Sequence, residues 1–281
     1  MQSQAPSAKW GLVLLCVAVG LSVRPAVAEP ATPLSVAVDG TQFQVTLSDG
    51  RILRSPQLVG AVLTVATGGK TIRLRIDSVG PDPGDPTMGI RSSAAVFLYS
   101  FSVEAADGTW SNPCEAGPDG RRQGFPLAGR AREDGTIAPA GPGEFAITCT
   151  GGAEGKCVRF GYHPWENLPD GAPMLPVYNA CVHLIRADYA GDGSATTRNG
   201  QPIDIYDVFG IQAPANDPAM RFEAGWTPEG AVCVNHVRVK DNATLADIET
   251  HSPALAGRVG GVCTEDFARA YGAILFVRSP P

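Results

Sequence analysis

Thr41-Gln42-Phe43-Gln44-Val45-Thr46-Leu47 separates its residues into an apolar set, Phe43, Val45 and Leu47, and a polar set, Gln42, Gln44 and Thr46. A period of two puts each set on its own face of a strand, the pattern of an antiparallel strand with one wet side. Thr71 to Ile76 repeats it, with Ile72, Leu74 and Ile76 inward and Arg73 and Arg75 outward. Val96 to Val103 is apolar on both faces, which suits a central strand. Asp-Gly pairs at 39–40, 49–50, 107–108, 119–120 and 134–135 punctuate these runs as hairpin or loop signals. Residues 29–112 therefore read as a cysteine-free antiparallel sheet region.

Further along, Gly80 to Gly89 reads as a loop, and so does most of Asn112 to Gly143, because glycine, proline and charge dominate both. Short strands are expected at Glu144–Cys149, Lys156–Tyr162, Ile203–Asp207 and Ala231–Val239. Helical spacing first shows in Leu175 to Tyr189, where Val177, Cys181, Leu184 and Asp188 share a face. Thr264 caps a last short helix with Glu265 and Asp266 in its first turn. Ala273 to Val277 is a closing strand. The fold class is β-rich α+β: an antiparallel sheet region, then a disulfide-stapled region, 113–281, with one or two helices.

The amino terminus carries an export signal. Trp10 to Val23 is an apolar run without charge, broken by Arg24 and Pro25, and Ala26-Val27-Ala28 supplies the small-x-small cleavage pattern. Cys16 lies inside that run and does not read as an acylation site. Residues 1–28 are thus a signal peptide, too short for a membrane span of roughly 20 residues, and the mature chain has no transmembrane anchor. Of 22 basic residues Lys9 and Arg24 leave with it, so 20 remain against 28 acidic ones. That balance excludes nucleic acid as a partner. The mature cysteines are Cys114, Cys149, Cys157, Cys181, Cys233 and Cys263, an even set that predicts three disulfides in an oxidising compartment. Chain order favours Cys149 with Cys114 or Cys157, and Cys233 with Cys263, among the 15 pairings six cysteines allow.

Arg186-Ala187-Asp188-Tyr189-Ala190-Gly191-Asp192-Gly193 is the most distinctive segment, followed by Thr196 to Gly200 and by Ile203 to Asp207. It resembles the signature of the ADYC domain, a family of exported bacterial proteins. Lys156 to Trp165, Ala180-Cys181 and Ala231 to Val234 are similar to family segments too, so the likeness spans roughly 113 to 263. The resemblance implies no activity, cofactor or ligand. Ala190 stands where the family has cysteine.

Three readings of this segment compete. In the structural one, Asp188 near the end of a helix takes hydrogen bonds from the Gly191-Asp192-Gly193 turn, or pairs with an arginine, and Asn199-Gly200 makes a type I′ turn. In the second, Asp188, Asp192, Asp204 and Asp207 are hard-oxygen donors for a weak calcium site, with Asp188 and Asp192 the leading candidates. The third is an exported hydrolase with an acid–base site near Asp188 and Asp192; Cys181, His183 and Asp188 suggest a nucleophilic version, though two residues turn a helix by about 200° and part Cys181 from His183. Tyr189 belongs to the same motif. Tyr162, Trp165, Phe222 and Trp226 are a possible stacking platform for an envelope glycan or protein partner. With no convincing catalytic set, a secreted or periplasmic non-catalytic module is the leading expectation.

Overall fold

Three hairpins in the first third of the chain show how the sheet is made. β1 (Pro33–Asp39), β2 (Gln42–Leu47) and β3 (Ile52–Arg54) form one antiparallel sheet. Phe43, Val45 and Leu47 are buried as the alternation requires. Five Asp-Gly pairs, at 49–50, 107–108, 119–120, 134–135 and 170–171, build the same turn: the glycine N–H returns to the carbonyl three residues back, as Gly50 does to Leu47 and Gly108 to Ala105. The aspartate accepts from the backbone two residues on, as in Asp49 with Arg51 and Asp134 with Thr136. This computed structural model describes residues 30–117, 119–215 and 217–281; the signal peptide expected over 1–28 lies outside them.

β4 (Val62–Thr67), β5 (Lys70–Asp82), β6 (Ser93–Glu104), β7 (Trp110–Ser111), β8 (Gly124–Ala128), β9 (Arg130–Ala131), β10 (Ile137–Ala138) and β11 (Phe145–Cys149) follow. β11, β8, β6, β5 and β4 lie side by side in that order, with β7 paired to β6; β9 and β10 make a small ribbon of their own. Val96 to Val103 is indeed the middle of the larger sheet. Strands on both sides of position 113 share it, and Thr32–Pro281 pack as one unit. The first sheet packs on the second through Phe43, edge-on to Tyr99 at 5.8 Å and to Phe145 at 5.2 Å.

Two loop expectations are corrected here. Gly80, Pro81 and Asp82 are the end of β5, paired to β6. β8 lies inside the supposed loop 112–143, and its Pro126 hid it. Pro126 sits opposite Ile147 of β11, and β8 pairs with β6 only at Gly124, so Pro126 has a ladder partner on one side alone and the strand tolerates its missing N–H.

The remaining elements are α1 (Ala153–Arg159), α2 (Leu175–Arg186), β12 (Asp204–Asp207), β13 (Arg221–Thr227), β14 (Gly230–Val234), α3 (Leu245–His251), α4 (Glu265–Ala270) and β15 (Leu275–Ser279). β12, β15, β13 and β14 form a four-stranded antiparallel sheet, and α2 and α4 pack against it. Thr264 caps α4 by accepting from Phe267 N. Lys156–Tyr162 is not a strand: its first four residues close α1. Gly155 meets the end of β11 so closely that a Cβ would collide with the Cys149 carbonyl, and Cys157 is bonded to Cys181 on α2. Tertiary packing, not the alternation of Val158, Phe160 and Tyr162, sets this segment.

Three disulfides staple the chain: Cys114–Cys149, Cys157–Cys181 and Cys233–Cys263. All six cysteines among the described residues are consumed, so no thiol there is left widowed by Ala190. A buried ion pair also ties the larger sheet to the helical layer: Arg159 of α1 donates from Nε and Nη2 to both oxygens of Asp82, at 2.8 and 3.1 Å. No helix of the described residues is long and apolar enough to cross a membrane.

Candidate functional site

α2 begins with Pro176 in its first turn and buries Val177, Cys181 and Leu184 against the four-stranded sheet. It stops at Arg186, earlier than the spacing predicts, because Ala187 turns left-handed (φ 48°), the one non-glycine residue to do so among those described. Thr196 fixes this strained cap by donating its hydroxyl to the Ala187 carbonyl at 2.6 Å. The chain then enters the distinctive motif, in which Asp188 and Tyr189 turn inward. Asp188 is fully buried. Its carboxylate accepts from His183 Nδ1 at 2.8 Å, from Gly193 N at 2.8 Å and from Asp192 N at 3.2 Å. The turn N–H groups are therefore partners of Asp188, as the structural reading has it, and His183 is added to them.

Gly191 is indispensable sterically. It has φ 70°, and a Cβ there would collide with the Glu229 carbonyl at the head of β14. That close approach lets Ala231 N donate to the Tyr189 carbonyl at 3.0 Å, docking the motif on the sheet.

Tyr189 is buried and stacks on Trp226, with ring centroids 5.4 Å apart. Its hydroxyl donates to Glu223 Oε1 at 2.9 Å and accepts from Arg238 N at 3.0 Å. Burial, then the Glu223 carboxylate, push the Tyr189 phenol well above its ordinary value. Arg238 donates from Nε and Nη2 to the two Glu223 oxygens, each at 3.0 Å. Its Nη1 and Nη2 also reach the Ile185 and Leu184 carbonyls at 3.0 and 2.9 Å. Arg238 thereby satisfies the Ile185 carbonyl, which the last turn of α2 leaves open, and is a second donor to the Leu184 carbonyl, which Ala187 N already reaches at 3.1 Å.

The other acidic candidates are spent separately. Asp192 is exposed; hydrogen bonds from Ser194 hold its carboxyl below the ordinary value. Asp204 accepts from Ala215 N at 2.9 Å. Asp207 accepts from Phe209, Ile211 and Gln212 backbone N–H groups and from the Tyr162 hydroxyl at 2.9 Å. Among the described residues no three acidic, histidine or cysteine side chains gather as a metal site would need. Asn199-Gly200 is a turn, but only Gly200 has positive φ and no strands flank it, so it is not the type I′ hairpin. The stacking platform also fails, since Tyr162 and Trp226 are fully buried. Cys181 is disulfide-bonded, which removes it as a nucleophile.

Glu223 and Arg238 were not among the expected site residues. Each nonetheless left a sign: a charge set inside an apolar run, in Phe222-Glu223-Ala224 and Val237-Arg238-Val239.

A cleft of about 600 Å³ opens beside the motif, between α1, the end of α2 and the segment 197–203. Its charged lining is Glu154, Lys156, Arg186, Arg198 and Arg238. Burial holds the Lys156 amine below its ordinary value.

The sequence model of the ADYC domain matches residues 55–240, about two thirds of the chain. The chain belongs to the ADYC domain family. The match begins at residue 55 rather than near 113, so it takes in β4 to β6, and it ends before 263. No curated protein and no solved structure matches the chain.

Proposed function

We propose that this ADYC protein is an exported, disulfide-stapled, non-catalytic module that binds a partner or serves the cell envelope, in the periplasm or outside the cell. The observation that carries this is the fate of the motif. Asp188, Tyr189, Glu223 and Arg238 bond one another and the backbone, His183 gives its Nδ1 to Asp188, and all five side chains are almost wholly buried. An acid–base catalyst needs at least one such group within hydrogen-bond reach of a substrate. Three disulfides suit an oxidising compartment, and the leader-like segment at residues 1–28 supports export.

Two measurements test the proposal. Mass spectrometry of the protein recovered from outside the cytoplasm should give a mature chain beginning at Glu29 with no alkylatable thiol. A chain that keeps residues 1–28, or remains in the cytoplasm, overturns export. Asp188→Asn should lower the melting temperature strongly. A hydrolytic activity lost in Asp188→Asn or Asp192→Asn at unchanged stability overturns the non-catalytic reading.

A further inference from the structure

The charges of the cleft beside the motif are unequally matched. Arg238 is neutralised by Glu223, and Arg198 pairs with Asp241 at 2.9 Å. Lys156 and Arg186 have no carboxylate partner among the described residues. Arg186 donates Nη2 to the Gly193 carbonyl, but its Nε is buried and makes no hydrogen bond. The Lys156 amine makes none either, although the side chain is half-buried. Glu154, the acidic group in the lining, is two positions from Lys156 on α1, about 200° around the helix, and the two form no ion pair. Asn199 and Gln201 add side-chain amides at the same opening. Two cations held partly out of water without counter-charges are unfavourable unless something anionic visits them.

We propose that this cleft is a binding site for a small anionic ligand carrying carboxylate or phosphate groups, held by Lys156 and Arg186 and oriented by Asn199 and Gln201. The volume lies within the roughly 300–1,000 Å³ of small-molecule sites. A guanidinium grips such groups in its plane, whereas an ammonium meets them as a point charge. The proposal rests on the reading of the chain as a binding module and names the site and ligand chemistry that reading lacks.

Titration of the full mature protein with citrate and with inorganic phosphate, each against chloride at equal ionic strength, tests it. The melting temperature should rise with one or both, because a ligand selective for the native state stabilises it. Amide resonances of Asn199, Gly200 and Gln201 should move with the same titration. A response to citrate alone assigns a carboxylate ligand, and a response to phosphate alone a phosphorylated one. Lys156→Met should fold at least as well and bind at least tenfold more weakly. Lys70→Met, at the exposed start of β5 and away from the cleft, should bind as the parent does. No response to either anion at 10 mM, an equal response to chloride, or binding undiminished in Lys156→Met overturns the site. None of those results restores a catalytic motif, so the two proposals fail separately.

Discussion

His183 and Asp188 are joined by a 2.8 Å hydrogen bond between side chains that are 1% and 0% exposed. The pair resembles half of a catalytic triad, and Asp188 also accepts from Asp192 N and Gly193 N, so it anchors the turn that follows α2. Asp188→Asn should therefore destabilise the fold by about 2–4 kcal/mol, the loss expected when a buried charged acceptor of several hydrogen bonds is neutralised. Asp192→Asn, at an exposed position, should stay within about 0.5 kcal/mol. Urea unfolding of the two variants checks the contrast.

Glu223 and Arg238 are both fully buried, so removing either one strands the other. Glu223→Gln and Arg238→Met should each cost about 3–5 kcal/mol. The double variant should cost clearly less than the sum, because no uncompensated charge remains. A residual loss should persist in it, from the Ile185 carbonyl that Arg238 no longer satisfies. A double-mutant cycle in denaturant reads both effects.

The disulfides close loops of similar span, with sequence separations of 35, 24 and 30 residues. Each should contribute on the order of 2–4 kcal/mol. Reduction is expected to speed amide exchange first in α1, α2 and the β8–β11 edge, where Cys149 ends its strand. The β1–β2 and β4–β5 hairpins, which contain no cysteine, should keep their protection longer. Hydrogen exchange with and without reductant shows the order.

His236 supplies a pH dependence. Burial pushes its imidazole below the ordinary value, against the opposing pull of Glu223, and its Nε2 lies 3.0 Å from the Ser279 hydroxyl. The unfolded chain, with histidine near 6.5, then binds more protons than the folded one, so stability rises with pH in this window. The melting temperature should fall as pH drops from about 7 through 6.5, and the loss should level off below the folded-state value. His236→Gln should flatten that part of the curve, as calorimetry at several pH values would reveal.

The antiparallel sheets were legible because strands β2 and β5 carry their faces in a local period and β6 is a short run apolar on both faces. The Asp-Gly turns were legible for the same reason: the turn and its residues are neighbours in sequence. Segment 156–162 was misread because a short apolar alternation fits strand or helix equally, and the Gly155 contact with β11 decides it from outside. β8 was missed because Pro126 looks like a breaker unless its ladder partners are known. At the site, the turn bonds to Asp188 could be expected from the adjacent glycines. The Glu223–Arg238–Tyr189 cluster and the Asp82–Arg159 pair join residues as far as 77 positions apart. No periodicity records such a pairing.

Arg238 reaches back 53 and 54 residues to the carbonyls it caps. A chain emerging amino end first completes α2 long before the residue that finishes it has appeared. Until then the Ile185 carbonyl is open and the Tyr189 hydroxyl lacks the amide that binds it. Local order in α2 can form and fray, but the motif closes only after β13 and β14 are in place. The family match ends at residue 240, two positions past Arg238. The matched segment thus stops just after the polypeptide becomes long enough to lock its own signature.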